Sequence, residues 1–284
     1  MSTRFSDRLA GAVGALSPVC VGLDPVLESL PDVVRARHHE PTRAIADFCK
    51  GVLDVVRGIA TAVKIQSACF ERYGSAGFGV MEGVVAHARD LGLVVIWDAK
   101  RGDISTTGAH YAAAANRLGA HAVTVNAYMG ESAITPFLDA GLGVFALART
   151  SNPDSDAVQS HALRDGRSVA AMVGELIARV GEKHLGASGM SDLGAVVGAT
   201  KAGDAAVMRA AMPRQVFLIP GYGAQGGTAE DIRAMLTPEG RGVLVTASRS
   251  VLYPKGGEGE WTDRVRTAAQ AFALEIAAVV TPGS

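Results

Sequence analysis

A group of charged side chains comes directly after a strongly apolar stretch near the middle of the chain. Residues 93–97 read Leu-Val-Val-Ile-Trp, and Asp98, Lys100 and Asp103 follow. Such an apolar run is typical of a parallel strand that is covered on both faces. Asp98 and Lys100 point the same way from an extended chain, and Gly102 permits a sharp turn before Asp103. Because buried charges are costly without partners, the stretch predicts either a strand-end salt bridge with a helix-capping aspartate or a catalytic group of charges.

Lys64 lies inside another apolar strand, at residues 62–65, where an ammonium without a partner would lose its charge. In a parallel sheet its neighbouring strands would end at Asp24 and Asp98. The order of the strands therefore predicts a chain of alternating charge through Asp24, Lys64, Asp98, Lys100 and Asp103. Two structural alternatives stay open: Lys64 extends its ammonium to solvent, and Asp24, which precedes a proline, caps a helix.

A glycine-rich loop and an arginine follow the last two apolar strands. The loop contains Gly221, Gly223, Gly226 and Gly227, which let backbone N–H groups approach an anion closely. Arg249 adds a guanidinium suited to phosphate. We expect a phosphate site between these two loops, against the alternative of a plain turn and a surface arginine.

The secondary-structure pattern alternates strand and helix eight times. One predicted strand begins at residue 94. The other seven span 19–23, 62–65, 122–125, 144–148, 195–199, 216–219 and 243–245. Predicted helices include 3–16, 42–57, 78–91, 107–118, 132–140, 169–183 and 262–280, and residues 152–166 are predicted to form a polar loop. The pattern predicts a single (β/α)8 TIM barrel domain over residues 1–284, with an extra N-terminal helix. The alternative is a doubly wound open sheet, which the lack of a GxGxxG motif after the first strand does not favour.

The composition is that of an ordinary globular protein, with 284 residues, 48% hydrophobic residues and a net charge of −1. This balance gives no support to a nucleic-acid or membrane partner. The three widely spaced cysteines and the histidines show no metal-ligand pattern, so we expect no metal site. Without a signal peptide or a membrane-spanning apolar run, we expect a cytoplasmic protein with reduced thiols.

Six motifs carry a resemblance to a known family. DAKRGDISTT at residues 98–107 resembles the signature of the orotidine 5′-phosphate decarboxylases, which catalyse the last step of UMP synthesis. The companion motifs occur in the right order: GLDP, AVKIQ, TSNP, PGYGAQGG and SRSVLYP. KIQSACFERYG and ARTSNP resemble the longer bacterial branch of that family. Ser105 stands where the motif commonly has glycine, while the charged positions are intact.

The resemblance implies a decarboxylase that works without metal or cofactor on a nucleotide substrate. Lys100 would be the proton donor, Asp98 and Asp103 would flank the substrate carboxylate, and Lys64 would complete the charged network. The implied substrate-binding residues are Asp24 for a ribose hydroxyl, Ser151 (with Thr150 as the alternative) for the pyrimidine, and Gln225 and Arg249 for the phosphate, with Gly223 in the glycine-rich loop.

The resemblance also implies a homodimer with shared active sites, in which Asp103 and Thr107 reach the neighbouring subunit's site. The sequence is compatible with this, because Gly102 turns the chain outward before Asp103 and Thr107 lies one helical turn further on.

The chemistry fits the residue types. Loss of CO2 from the orotate ring leaves a carbanion that no π-system delocalises, so a preorganised cation is the main device available. Lys100 can supply that charge and then protonate the carbon. Three rival interpretations stay open. They are a related phosphosugar decarboxylase or aldolase with an Asp-x-Lys strand end, some of which need Mg²⁺, an adhesive ligand based on the Arg101-Gly102-Asp103 tripeptide, and a catalytically inactive barrel.

Overall fold

Eight parallel strands form a closed barrel in chain order, each paired with its sequence neighbours and β1 paired with β8. The computed structural model describes residues 3–199, 202–223, 226–256 and 259–281. The strands are β1 Val19–Leu23, β2 Ala62–Gln66, β3 Val94–Arg101, β4 Ala122–Asn126, β5 Gly143–Arg149, β6 Leu193–Val197, β7 Phe217–Ile219 and β8 Val243–Ala247.

Helices surround the barrel, and the first of them in the chain precedes β1. They are α1 Phe5–Ala15, α2 Asp32–Arg37, α3 Pro41–Val56, α4 Ala68–Glu71, α5 Gly74–Asp90, α6 Ser105–Leu118, α7 Thr135–Asp139, α8 Asp156–Gln159, α9 Val169–Gly181, α10 Ala202–Ala211, α11 Ala229–Ala234, α12 Arg249–Leu252 and α13 Trp261–Val280. The predicted (β/α)8 barrel and the extra N-terminal helix are confirmed. Of the described helices, none is long and apolar enough to cross a membrane.

Several predicted boundaries were wrong. The sixth strand is Leu193–Val197 and not 195–199, because Leu193 and Gly194 pair with Val144 and Phe145 of β5. Gly194 leaves room for the Phe145 ring, which a Cβ there would approach to 2.9 Å. The predicted helix over 132–140 is shortened to α7, with a 3₁₀ turn before it. The expected polar loop over 152–166 contains the short helix α8.

Side chains alternate between the barrel interior and the layer beneath the helices, as in any closed barrel. The interior cluster includes Cys20, Ala62, Ile96 and Leu244 from the strands, and it is completed by Phe5 and Leu9 from α1. The outer cluster is larger and joins the strands to the surrounding helices.

Helix α1 closes the end of the barrel where the strands begin. The ring of Phe5 packs edge-on against Phe145 with centroids 5.8 Å apart. Asp192, just before β6, accepts hydrogen bonds from the Ser6 amide at 2.8 Å and the Arg4 guanidinium at 2.9 Å. Gly143 leaves the necessary room, because a Cβ there would lie 2.1 Å from the Phe5 ring. The opposite end of the barrel, where the strands finish, stays open.

Candidate active site

A cavity of about 920 Å³ opens at the carboxyl ends of the strands. Parallel strands that close into a barrel bring their last side chains and following loops to this one rim. The cavity is lined by most of the predicted site residues, namely Asp24, Lys64, Asp98, Lys100, Thr150, Ser151 and Arg249.

Four of the five predicted charges form a continuous chain at the cavity wall. Lys64 Nζ lies 2.8 Å from Asp98 Oδ2 and 3.4 Å from Asp24 Oδ1. Lys100 Nζ lies 2.7 Å from Asp98 Oδ1. The order predicted from the strand sequence is thereby confirmed for Asp24, Lys64, Asp98 and Lys100. Asp24 does not cap a helix, since the 3₁₀ turn that follows it begins after Val26 without a side-chain cap.

The mutual contacts keep these groups charged. Burial opposes the charge on Lys64, but the Asp98 and Asp24 carboxylates outweigh it and raise the pKa of Lys64. Burial likewise opposes the charge on Asp98, and the neighbouring Lys64 and Lys100 ammonium groups lower its pKa to about 2. Lys100 differs from Lys64 in access, because 48% of its side chain is exposed against 8% for Lys64. Lys100 therefore supplies the accessible ammonium of the network, and it lines the cavity.

Two residues that the sequence analysis missed complete the coordination of Asp98. Gln66 donates from Nε2 to Asp98 Oδ2 at 3.2 Å, and Thr124 donates from Oγ1 to Asp98 Oδ1 at 2.8 Å. A signal was present in the sequence: Lys64 and Gln66 are two residues apart and so share one face of β2, and Thr124 is a polar residue in the middle of apolar β4. With both lysines, the Asp98 carboxylate accepts four hydrogen bonds.

Asp103 and Thr107 do not join this group within one chain. Neither lines the cavity. The Asp103 carboxylate accepts a hydrogen bond from the Ile104 amide at 2.8 Å, and Thr107 is exposed on α6. Their predicted role in a second subunit's site is therefore not tested by a single chain.

The loop after β5 is held from beneath by a buried arginine. Arg149 is 2% exposed; its Nε donates to Asp204 at 2.6 Å and its Nη1 to Ser155 at 3.0 Å. Gln159, on α8, then fixes Thr150, because its Oε1 accepts from the Thr150 amide and its Nε2 donates to Thr150 Oγ1, both at 2.8 Å. Thr150 and Ser151 both line the cavity, so the choice between them as partner of the base stays open.

The expected phosphate loops are placed at the same rim, with one difference. Arg249 begins α12, is exposed and lines the cavity. Gly223 does not line it, and its amide donates to the Gly227 carbonyl at 3.1 Å. The amides of Gly226 and Gly227 also donate within the loop, because the turn pairs with itself. These three amides therefore have partners within the loop, and the phosphate contact predicted for Gly223 stays a prediction. Gln225 lies outside the described residues.

Candidate metal ligands and cysteines are the other groups that could do chemistry. In the described parts of the chain, no cluster of His, Cys, Asp or Glu could hold a metal ion. The cysteines Cys20, Cys49 and Cys69 are free thiols. Burial raises the pKa of Cys20 to about 12, which makes it a poor nucleophile although it lies inside the barrel.

Comparisons with known proteins agree on one family. A family model described as Orotidine 5′-phosphate decarboxylase / HUMPS matches residues 17–260. A protein of Rhodopirellula baltica named orotidine 5′-phosphate decarboxylase is 37% identical over 290 residues, which cover 93% of this chain and 96% of the relative. A protein of Deinococcus radiodurans with the same name is 41% identical over 245 residues, covering 84% of this chain and 85% of the relative.

Solved structures give the same result. The structure of OMP decarboxylase from Leishmania donovani matches with a TM-score of 0.82 at 30% identity. The match covers 99% of this chain and 100% of that one. The similarity therefore extends over the whole barrel and is not limited to the motifs at its rim.

Proposed function

The chain belongs to the Orotidine 5′-phosphate decarboxylase / HUMPS family, and we propose that it decarboxylates orotidine 5′-phosphate to UMP, the last step of de novo pyrimidine synthesis, without a cofactor. The observation that carries the proposal is the network of alternating charge formed by Asp24, Lys64, Asp98 and Lys100 at the wall of the cavity. It leaves one ammonium accessible and fixes it against a carboxylate that is 6% exposed.

The proposed reaction uses Lys100 twice. As the bond between the ring carbon and the carboxylate breaks, CO2 leaves and the electron pair stays on the ring carbon. The Lys100 ammonium stabilises that developing charge because Asp98 already holds it in place, so little reorganisation is needed. Lys100 then transfers its proton to the carbon and regains one from water. Lys64 and Asp98 do not exchange protons in this scheme; they keep the field at the reacting carbon constant.

The remaining contacts are proposed to bind the nucleotide away from the reacting carbon. Asp24, with 32% of its side chain exposed beside Lys64, would accept from a ribose hydroxyl. Ser151 would meet the pyrimidine, and Arg249, Gln225 and the loop at Gly223 the phosphate. Binding at such distant groups can be used to hold the reacting carbon beside Lys100.

We propose further that the protein is a cytoplasmic homodimer whose sites are shared, with Asp103 and Thr107 entering the partner's cavity. The dimer proposal is supported by an exposed apolar patch that consists of Ile104, Tyr128 and Met129, with exposures of 47%, 86% and 45%. The two loops that carry it are adjacent, since a Cβ on Gly102 would lie 3.2 Å from Asn126. Exposed apolar side chains beside Asp103 are what a second copy would cover.

The test is the fall in absorbance of orotidine 5′-phosphate when purified protein is added. We expect turnover that survives EDTA. No turnover, with the protein shown to be folded by circular dichroism, would refute the proposal. Activity that EDTA abolishes and Mg²⁺ restores would instead favour a metal-dependent reaction of the phosphosugar type.

A further inference from the structure

Lys100 has a backbone conformation that residues other than glycine rarely adopt. Its φ is +44°, in the left-handed region. A residue with a Cβ is strained there, and such strain persists only where the surroundings impose it. The contacts that hold this residue therefore bear directly on where its ammonium points.

The strain coincides with an irregularity between β3 and β4. Trp97 pairs with Val123, and the next pair is Arg101 with Val125. Between these pairs β3 advances four residues (101 − 97) and β4 only two (125 − 123), so β3 bulges at residues 98–100. A bulge removes backbone partners and redirects side chains, and bulges are common beside active sites.

Thr124 is the residue on β4 opposite the bulge, and its hydroxyl replaces the missing backbone partner. The Lys100 amide donates to Thr124 Oγ1 at 2.9 Å. The same hydroxyl donates to Asp98 Oδ1 at 2.8 Å, and that oxygen accepts from Lys100 Nζ at 2.7 Å. These three hydrogen bonds form a closed ring that joins the backbone of Lys100 to its own ammonium.

We propose that Thr124 is a positioning residue that holds Lys100 in its left-handed conformation and so aims the ammonium into the cavity. The proposal rests on the proposed function, because the ammonium is the group that protonates the substrate carbon. Thr124 suits the task because it is 1% exposed and β-branched, which restricts its χ1 and fixes the direction of its hydroxyl.

The experiment compares two matched pairs that differ in the hydroxyl: wild type with Thr124→Val, and Thr124→Ser with Thr124→Ala. We expect the variants without a hydroxyl to lose about 10- to 100-fold in kcat, the effect of misplacing a catalytic group by about 1 Å. KM and the Kd of UMP should stay nearly unchanged, because the nucleotide contacts lie on other strands. Thr124→Ser should recover most of the kcat that Thr124→Ala loses.

A buried threonine at the other end of the barrel is the control. Thr61 is 2% exposed and its hydroxyl donates to the Ser17 carbonyl, so Thr61→Val loses a buried hydroxyl without touching the site. It should lower Tm and leave kcat unchanged. If Thr124→Val and Thr61→Val have the same kcat, or if Ser and Ala at position 124 are equally active, the positioning role is refuted.

A crystal structure of Thr124→Val gives a readout that does not depend on activity. We expect Lys100 to leave the left-handed region and its ammonium to leave Asp98. Retention of both features would refute the inference even if wild-type protein proved inactive toward orotidine 5′-phosphate. Wild-type inactivity would itself refute only the proposed function.

Discussion

Lys64 and Asp98 form an ion pair at 2.8 Å in which both side chains are less than 10% exposed, at 8% and 6%. Removing either partner would take a close counter-charge from a buried group, and breaking a buried ion pair in this way typically costs about 3–5 kcal/mol in the free energy of unfolding. Substitutions at these two positions therefore confound catalysis with folding. Lys100 can be changed with less risk, because it is half-exposed and donates to the same carboxylate from the cavity side.

Lys100→Ala is expected to lower kcat by at least about 100-fold, as the loss of a proton donor and of a preorganised cation requires. Because the ammonium acts in the transition state, the loss should fall on kcat more than on KM. Steady-state kinetics with orotidine 5′-phosphate measures both. Lys50→Ala, at an exposed position of α3, is the control. Residual activity of Lys100→Ala within tenfold of wild type would remove Lys100 from the mechanism.

Arg249→Ala is expected to weaken UMP binding by about 10- to 150-fold, equivalent to a charge-assisted contact of about 1.5–3 kcal/mol. Uridine, which lacks the phosphate, should bind wild type and variant alike. Isothermal titration with both ligands separates the two cases. Arg266→Ala, on the exposed face of α13, should change neither affinity. Equal losses for UMP and uridine would show that Arg249 does not contact phosphate.

Mixing Lys100→Ala with Asp103→Ala is expected to restore activity if the sites are shared. In a mixed dimer one site combines an intact Lys100 with the partner's intact Asp103, and the other site lacks both. Activity should approach half the wild-type value per mixed dimer under conditions that allow subunit exchange. If exchange is verified and no activity returns, Asp103 serves its own subunit and the shared site is wrong. The decarboxylase proposal would survive that result.

His121 is expected to make the fold sensitive to mild acid. Its Nδ1 accepts a hydrogen bond from the Val95 amide at 2.9 Å, and burial together with Arg8 and Arg89 lowers its pKa to about 4 from 6.5. As the pH falls, the His121 imidazole therefore takes up a proton in the unfolded chain at a higher pH than in the folded protein. The stabilisation is complete above about pH 6.5 and is lost as the pH falls toward about 4.

His121→Asn keeps an acceptor but does not titrate. Between about pH 7 and about pH 4.5 the imidazole takes up its proton in the unfolded chain. The urea midpoint of the variant should therefore fall less over this interval than that of wild type. His39→Asn, at an exposed position, is the control for exchanging a histidine for an asparagine. An identical acid dependence in His121→Asn and wild type would contradict the assignment.

Phe5→Ala is expected to lower the free energy of unfolding by about 3 kcal/mol, the cost of emptying a large buried site. Its ring is 5% exposed and lies inside the barrel. Leu16→Ala, just beyond the same helix and 48% exposed, should stay within about 0.5 kcal/mol of wild type. Urea titration measures both, and equal effects would show that α1 does not close the barrel.

The barrel and the charged chain could be predicted because few alternatives satisfy the physics. A lysine inside an apolar strand needs partners, and in a closed parallel barrel only the neighbouring strand ends can supply them, which placed Lys64 between Asp24 and Asp98. The side-chain period of a strand likewise placed Asp98 and Lys100 together.

What could not be predicted depends on register, loop closure or a second chain. Thr124 stands out as a polar residue in an apolar strand, but its contact with the Lys100 amide depends on the bulge in β3, which no residue type signals. The Gly223 amide already donates to the Gly227 carbonyl because the glycine-rich loop hydrogen-bonds within itself, which composition alone does not reveal. The roles predicted for Asp103 and Thr107 involve a partner subunit, so a single chain does not test them, and the single-domain organisation over residues 1–284 stays a prediction.

The position of α1 has a consequence for the order in which the protein can fold. Ser6 and the Asp192 carboxylate that binds it are 186 positions apart, and Phe145 lies between them in the chain. Such long-range contacts are slow to form because the intervening loop must close first. During synthesis α1 emerges early, but the surface that receives it exists only after β5 and β6 have been made. The docking of α1 therefore waits until residues up to β6 have been made, and the apolar ring of Phe5 lacks its Phe145 partner until then.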